Sequence, residues 1–165
     1  MRTAPVLGLA LLALTACGFG SDERDCTLIG SGSGVNVDIA APDASRVASA
    51  SVRVCWDRTC RTARLALRPS TTTVPQGCDG EAPDAACAAS ASPDGGRNGF
   101  ARVADLPESP VQVTLTLRDQ HGRALLDQGV RLTPKATYPN GPHCGRGGTQ
   151  AGVTVANGRA TARTR

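Results

Sequence analysis

The stretch Val111-Gln112-Val113-Thr114-Leu115-Thr116-Leu117 has the most regular pattern in the chain, with Val or Leu at every second position and Gln or Thr between them. Side chains of a β-strand point alternately to the two faces of a sheet, so a period of two predicts a half-buried strand. Asp119-Gln120-His121-Gly122 follows and predicts a turn, because Gly tolerates the positive φ that turn ends require.

Weaker versions of this pattern recur along the chain. The segments that predict strands are residues 35–39, 51–55, 59–67, 100–106, 123–133, 153–155 and 159–162, with 71–74 as a short addition and a bulge possible at Gly129. Asn157-Gly158 is the strongest short hairpin signal. Seven or eight short strands, regular turns and no long helix predict an all-β fold with the architecture of a β-sandwich.

Residues 68–98 fit this pattern least well. Pro69, Pro75, Pro83 and Pro93 interrupt them, and a loop of this length is uncommon in a compact domain unless it is functional or disordered. We expect a helical turn at residues 85–91 and a long Pro- and Gly-rich loop at 134–148.

Seven cysteines define the covalent framework. Setting Cys17 aside leaves six, which in an exported chain predict three disulfides. Cys55 and Cys60 flank a predicted hairpin turn, where opposite positions come within disulfide range, and Cys78 and Cys87 bracket a short loop. Cys26 and Cys144 pair by exclusion. Because aromatic residues make up only 2% of the chain, the core must consist mainly of Val, Leu, Ile and Ala, and the disulfides gain importance.

Leu14-Thr15-Ala16-Cys17 follows a basic start, Met1-Arg2, and an apolar run at residues 6–14. This arrangement resembles a bacterial lipoprotein signal, and the run is too short to span a membrane. The resemblance implies cleavage of residues 1–16 and a diacylglyceryl anchor on Cys17, which would hold the chain at the extracytoplasmic face of the cell membrane. An ordinary secretory signal is the alternative. Residues 17–25 would form a lipidated tether, 26–162 one domain and 163–165 a frayed tail.

The charge pattern argues against a nucleic-acid partner. The formal net charge is +4, and the basic residues are scattered rather than clustered. No Ser/His/Asp set and no phosphate-binding Gly-rich loop is recognisable.

The sequence also contains residues that could form a nucleophile or a metal site, but a purely structural role explains each of them better. His143-Cys144 could suggest a thiol nucleophile, but adjacency in sequence does not place a base, and Cys144 completes the cysteine pairs. The thiols lack the paired CxxC spacing of zinc sites. Asp79, Glu81 and Asp84, with Asp94 farther on, could bind Ca²⁺ but lack EF-hand spacing and suit a solvated loop. We expect no metal and no cofactor.

The candidate binding residues are Trp56, Tyr138 and His143, together with the segment between Cys78 and Cys87. Trp56 in a predicted hairpin turn could stack on a sugar or peptide, or it could cover the core beside a disulfide. Tyr138 and His143 lie on a Pro- and Gly-rich loop. Rigid loops with an aromatic anchor bind at low entropic cost, so we expect any contact surface on these loops.

Residues 100–133 resemble fibronectin- and transthyretin-like sandwich repeats, an architecture shared with immunoglobulin domains, although the immunoglobulin Cys-Trp-Cys spacing is absent. The two ends, Cys26-Thr27-Leu28-Ile29-Gly30-Ser31 and Pro139-Asn140-Gly141-Pro142-His143-Cys144-Gly145, resemble uncharacterised lipoproteins of high-GC Gram-positive bacteria. The second resemblance implies export and anchoring and brings no catalytic residues. From the anchor, the sandwich pattern and the long disulfide-closed loops, which carry binding in sandwiches, we expect a non-catalytic binding module of the cell envelope, with an envelope protein or a glycan as partner. A small extracytoplasmic hydrolase or metal-dependent enzyme is the alternative.

Overall fold

A computed structural model describes residues 26–163. In this part of the chain the fold is nearly all β, as the sequence predicts, with ten strands rather than seven or eight. The elements are β1 (Gly34–Ile39), α1 (Asp43–Arg46), β2 (Ser49–Trp56), β3 (Thr59–Leu65), β4 (Arg68–Cys78), β5 (Cys87–Arg102), β6 (Val111–Arg118), β7 (Ala124–Leu132), β8 (Lys135–Ala136), β9 (Thr149–Ala156) and β10 (Arg159–Arg163).

The strands form two sheets. The first has the order β10-β9-β1-β5-β4, with the short β8 also paired to β9, and the second has the order β3-β2-β6-β7. Strand β1 pairs antiparallel with β5 and parallel with β9, so the beginning and the end of the domain lie side by side.

The core lies between the two sheets and follows from the alternation in the sequence. In β6, Val111, Val113, Leu115 and Leu117 are buried while the residues between them reach the surface. The other strands contribute buried Val, Leu, Ile and Ala in the same way. The largest fully buried side chains are Ile39, Leu115, Leu117, Val35, Val37, Val52, Val54, Val103, Val111, Val113, Val153 and Val155. None is aromatic, so the composition-based expectation about the core is confirmed.

The largest correction concerns residues 68–98. They form one long hairpin, in which β4 has 11 residues and β5 has 16. The helical turn expected at 85–91 is wrong, because Cys87 begins β5 and pairs with Cys78 across the hairpin. Cross-strand pairing here overrides the helix preference of the alanines. The helix that does form, Asp43–Arg46, is a single turn where the sequence suggested only a turn.

Several boundaries also differ from the prediction. Strand β5 ends at Arg102, and residues 103–106 leave the sheet even though Val103 and Leu106 stay buried. Gly129 pairs regularly with Thr114, and the irregularity of β7 lies opposite the step from Leu117 to Arg118 instead.

Two regions expected to be irregular are partly paired. The predicted loop at 134–148 contains β8, which pairs with β9. Arg163 is not frayed, because it ends β10 and forms an ion pair with Asp38.

Three disulfides join the same pairs that the sequence predicts. The Cα–Cα separations are 5.4 Å for Cys26–Cys144, 4.1 Å for Cys55–Cys60 and 3.9 Å for Cys78–Cys87. The first closes a separation of 118 residues, whereas the other two close hairpins. All three, together with the buried core, lie within residues 26–163, so this segment holds the elements that a sandwich needs to fold.

Candidate functional site

The strand directions divide the connecting loops between two ends of the sandwich. The end that carries Cys26, here called the Cys26 end, consists of residues 26–33, 56–59, 103–110 and 133–148. The opposite end carries α1, the β6–β7 turn, the β9–β10 turn and the outer part of the β4–β5 hairpin. The register between β1 and β5 shows where the hairpin lies. Gly34, at the start of β1, pairs with Arg102, the last residue of β5, whereas Ile39, at the end of β1, pairs with Arg97. The residues of β5 before Arg97 therefore extend beyond the end of the sandwich that lies opposite the Cys26 end.

The candidate binding residues therefore do not form one surface. Trp56, Tyr138 and His143 lie at the Cys26 end, and the segment between Cys78 and Cys87 lies at the far end. The sequence gives no indication of this separation, because it depends on the direction in which the long hairpin leaves the sheet.

Trp56 is the last residue of β2 and is partly buried against the core. The chain reverses directly after it through Asp57 and Arg58, which have φ values of 42° and 64°. Consecutive positive φ values characterise a two-residue turn that matches the twist of the flanking strands. The placement of Trp56 corresponds to the core-covering interpretation of this residue.

Tyr138 and His143 are both exposed. Their loop is fixed to residues 26–31 by the Cys26–Cys144 disulfide and by Asn140, whose side chain accepts a hydrogen bond from the Ile29 N–H (3.2 Å) and donates one to the Ile29 carbonyl (2.9 Å). The loop and the first described residues thus form one cross-linked layer.

The same layer depends on a close approach of two backbones. The N–H of Gly148 donates to the Ser31 carbonyl at 2.9 Å, and a Cβ at Gly148 would come within 2.4 Å of the carbonyl carbon of Gly32. Only glycine fits such a contact. The Cys26 end is therefore tied down by backbone contacts as well as by its disulfide.

The outer part of the β4–β5 hairpin, residues 71–92, is here called the arm. From Thr71 outward β4 pairs only with β5, and β5 pairs with β1 only as far as Arg97. Nearly every residue of the arm is exposed, on both faces of the hairpin. The ten residues from Gly96 out to Cys87 extend roughly 30 Å at about 3.3 Å per residue. The arm thus projects from the sandwich without contributing to its core.

The base and the tip of the arm are both fixed locally. At the base, the Asp94 carboxylate accepts hydrogen bonds from the Ser70 hydroxyl and the Gly96 N–H, and these bonds lower the pKa of Asp94 below 3.8. At the tip, the disulfide closes residues 79–86, within which the Asp79 N–H donates to the Ala86 carbonyl at 2.9 Å.

The tip carries the three acidic residues Asp79, Glu81 and Asp84, and the arm has no basic residue. Asp94 lies at the base and not with them. Among residues 26–163, no group of three His, Cys, Asp or Glu side chains is placed to hold a metal ion. Cys144 is bonded to Cys26, so its sulfur is not a free thiol.

An open depression of about 380 Å³ lies beside α1 at the far end. Its lining residues are Ser45, Arg46, Asp119, Gln120, His121, Arg123 and Leu125. Both arginines already bind carboxylates, Arg46 with Asp43 at 3.0 Å and Arg123 with Asp119 at 2.7 Å. Their charges are locally neutralised, which weakens the depression as an anion site. Sequence analysis identified only the turn at 119–122 here.

Asp119 organises that turn. Its burial raises the pKa, but hydrogen bonds from the Arg123 side chain and from the Arg123 and His121 N–H groups outweigh this effect and hold the pKa of Asp119 below 3.8. The carboxylate therefore acts as a structural acceptor that closes the β6–β7 turn.

Comparison with known proteins gives no relative: no family model, no curated protein and no solved structure matches the chain. Within residues 26–163, no helix has the length and apolar character needed to cross a bilayer. Cys17 and the predicted signal and tether lie outside the described residues.

Proposed function

We propose that this chain is a lipid-anchored extracytoplasmic binding module without a catalytic role, and that the arm is its contact element. The observation that carries the proposal is that residues 71–92 form a hairpin exposed on both faces and paired only with itself. Isolated hairpins are marginally stable in water. A hairpin that is closed by a disulfide and contributes nothing to the core suits contact with another molecule.

The two free edges of the arm differ. Within the arm, the edge of β4 contains Pro75, and proline on an edge strand prevents pairing with another chain. The edge of β5 at residues 87–92 reads Cys-Ala-Ala-Ser-Ala-Ser, with no proline and no charge. This edge is the one that can accept an additional strand.

The register indicates which groups the β5 edge offers. Pro75 pairs with Ala89, and because proline has no N–H, we infer that this pair lacks cross-strand backbone hydrogen bonds. The N–H and C=O of Ala89 then point away from β4, and those of Ala91, two residues on, do the same. The edge presents a row of unpaired backbone donors and acceptors to an extended segment.

A protein partner fits this edge better than a glycan. The arm contains no aromatic side chain and so offers no ring face on which a sugar could stack, whereas backbone groups recognise an extended peptide directly. The acidic residues Asp79, Glu81 and Asp84 beside the edge favour a partner segment with basic residues. The proposed partner is an envelope protein that adds a strand to β5.

The location rests on two observations. The first is the resemblance of Leu14-Thr15-Ala16-Cys17 to a lipoprotein signal, and the second is the presence of three disulfides, which persist in oxidising compartments. A Cys17→Ala variant should lose lipid attachment and remain an uncleaved precursor. A variant that reached the membrane at its mature mass would contradict the anchor.

A matched pair of proline substitutions tests the arm. Ala91→Pro removes an outward donor from the β5 edge, and Thr73→Pro, which pairs with it across the hairpin, removes one from the β4 edge. The measurement is photo-cross-linking in intact cells from a probe residue placed at Ala89. The wild type and Thr73→Pro should give the same cross-linked product and Ala91→Pro should lose it. Equal yields from all three chains, with unchanged melting temperatures, would refute contact through β5.

A further inference from the structure

The second sheet has an open edge at β3. This strand, Thr59–Leu65, ends the order β3-β2-β6-β7, so it pairs with β2 on one side and with no strand on the other. It contains no proline, its register with β2 has no bulge, and most of its residues are exposed. An edge strand with these properties can accept another strand.

The opposite side of the sandwich is closed by a side chain. Ala160 of β10, at the edge of the first sheet, donates its N–H to the Gln128 side chain of β7 at 2.9 Å, and its C=O accepts from the same side chain at 3.0 Å. Gln128 thus occupies the place that an added strand would need. In the part of the chain that the structure describes, the backbone of β3 has no such partner besides β2.

The turn before β3 determines which of its backbone groups face outward. It is a two-residue turn, so the pair that flanks it, Trp56 and Thr59, is hydrogen-bonded. Hydrogen-bonded and non-bonded pairs alternate along antiparallel strands. Cys60, Thr62 and Arg64 therefore point their N–H and C=O groups away from β2. β3 offers the same kind of backbone row as the β5 edge of the arm.

The β3 segment and the tip of the arm carry opposite charge. Residues 58–78 contain four basic residues and no acidic one, whereas residues 79–92 contain three acidic residues and no basic one. The basic residues are Arg58, Arg61, Arg64 and Arg68. None of these arginines forms an ion pair with another residue of 26–163.

The strands around β3 do not offset this positive charge. β2, β3 and β6 contain no acidic residue, and β2 adds Arg53 beside β3. Asp57, in the turn, is adjacent in sequence to Arg58 and offsets that arginine only. The acidic residue of β7, Asp127, lies three strands away from Arg64 in the register. This is about 14 Å at roughly 4.8 Å per strand, beyond the screening length of about 8 Å.

The acidic tip of the arm is far from β3 of its own chain. A Cβ at Gly99 of β5 would lie 3.3 Å from the Cβ of Leu65, the last residue of β3. The strand from Gly99 out to Cys87 extends roughly 40 Å at about 3.3 Å per residue, and it leads away from the sandwich. Pairing between the two oppositely charged segments is therefore possible only between two molecules.

We propose that the β3 edge of a second copy of this chain is the strand that adds to the β5 edge of the arm. The inference rests on the proposed function, in which the arm is the contact element, and it names the partner. The two backbone rows supply hydrogen bonds, and attraction between Arg61 and Arg64 of one copy and the acidic tip of the other directs the pairing. Because the contact joins two different surfaces, it can continue from copy to copy.

Photo-cross-linking in intact cells, from a probe residue at Ala89 of the full chain, identifies the partner. The products should be multiples of the chain mass, and peptide mapping should join Ala89 to residues 59–65. Arg61→Glu with Arg64→Glu should lower the yield at least about tenfold, because like charges at an interface disfavour association.

The matched control is Arg131→Glu with Arg159→Glu, which changes the net charge equally at exposed positions on β7 and β10. Its yield should equal that of the wild type. All variants are required to melt at the wild-type temperature, which their exposed positions favour.

A charge exchange distinguishes direct contact from an indirect effect. The first variant carries Arg61→Glu and Arg64→Glu, and the second carries Asp79→Arg, Glu81→Arg and Asp84→Arg. Each variant alone brings like charges together and should give little product. When both are expressed in one cell, the acidic arm of the first meets the basic β3 of the second, and the product should return.

A product that contains another protein, or a second copy joined outside residues 59–65, would overturn the inference and leave contact through β5 intact. Wild-type yield from the Arg61 and Arg64 variant, or no recovery in the mixed expression, would overturn it as well. Equal yield from Ala91→Pro, or no product from the wild type, would refute contact through β5 itself. The failure of the inference is thus distinguishable from the failure of the proposed function.

Discussion

The sandwich and the arm are ordered by different physical means. In the sandwich, Val, Leu, Ile and Ala from both sheets exclude water, and removing one of these side chains leaves a cavity. In the arm, neither face is buried, and order comes from cross-strand pairing, the bonds to Asp94 at the base and the Cys78–Cys87 disulfide at the tip. The comparison shows that an extended hairpin can be specified by covalent and backbone constraints without a core of its own.

The Cys26–Cys144 disulfide should have the largest effect on the stability of the sandwich. A chain-entropy estimate for its separation of 118 residues gives about 5 kcal/mol. Cys26→Ser with Cys144→Ser should lower the free energy of unfolding by several kcal/mol in urea denaturation. The matched variant, Cys78→Ser with Cys87→Ser, should change it far less, because the arm opens without the core. Similar losses in both variants would mean that the arm and the sandwich unfold together.

Substitution of a core residue should have the next largest effect on the free energy of unfolding. Leu115 is fully buried, and Leu115→Ala should cost about 2–5 kcal/mol through lost burial and the cavity left behind. Val74→Ala on the exposed arm should cost less than about 0.5 kcal/mol, as is usual at the surface. Urea denaturation of the Leu115→Ala and Val74→Ala variants measures both losses. A large loss from Val74→Ala would indicate that the arm packs against something.

Shortening the arm should have a still smaller effect on stability. Thr72 and Ser92 are paired, and the alternation that leaves Pro75 and Ala89 without mutual hydrogen bonds makes them a hydrogen-bonded pair, so replacing residues 73–91 by Asn-Gly would close the hairpin near its base with a favourable two-residue turn. The free energy of unfolding should stay within about 1 kcal/mol of the wild type. An unfolded product would contradict the independence of the sandwich.

The sequence predicted the sandwich more successfully than the arm for a physical reason. Apolar and polar residues alternate at 111–117 because one face of this strand is buried, and this burial leaves a period of two in the sequence. Residues 71–92 bury neither face, so no alternation marks them as strands, and Ala86, Ala88 and Ala89 even favour a helix locally. The signs of the hairpin were the Cys78–Cys87 pair and the β-branched run at residues 71–74, which predicted a short strand that lies within β4.

The exposed apolar residues of the Cys26 end, Leu28, Ile29 and Tyr138, could be recognised only in part from the sequence. Tyr138 and its loop could be singled out from their Pro and Gly content, but Leu28 and Ile29 resemble core residues in the sequence. Their exposure depends on the pairing of Cys26 with Cys144 and on Asn140, which join segments more than 100 residues apart. Such long-range placement is not encoded in any local pattern.

The smallest expected effect is a pH dependence that separates the two regions again. Hydrogen bonds lower the pKa of Asp119 in the folded protein below 3.8, so its contribution to stability is present above that pH and is lost as the pH falls through the folded pKa. The difference in melting temperature between the wild type and Asp119→Asn should be greatest near neutral pH and should shrink in acid. A difference that grew in acid would contradict the role of the carboxylate.

Asp94, with its pKa also lowered, provides the counterpart on the arm. Asp94→Asn should leave the melting temperature unchanged and speed exchange of the amides near the base of the arm. A change in melting temperature equal to that of Asp119→Asn would place the base of the arm within the cooperative core.

Hydrogen exchange with mass spectrometry tests the independence of the two regions most directly. In the oxidised protein, amides of β1, β2, β6 and β9 should exchange only through global unfolding, whereas amides of residues 71–92 should exchange faster through local opening. Cys78→Ser with Cys87→Ser should speed exchange in the arm and leave the sandwich strands unchanged. Equal protection of the two regions, or acceleration of both by that variant, would contradict the account.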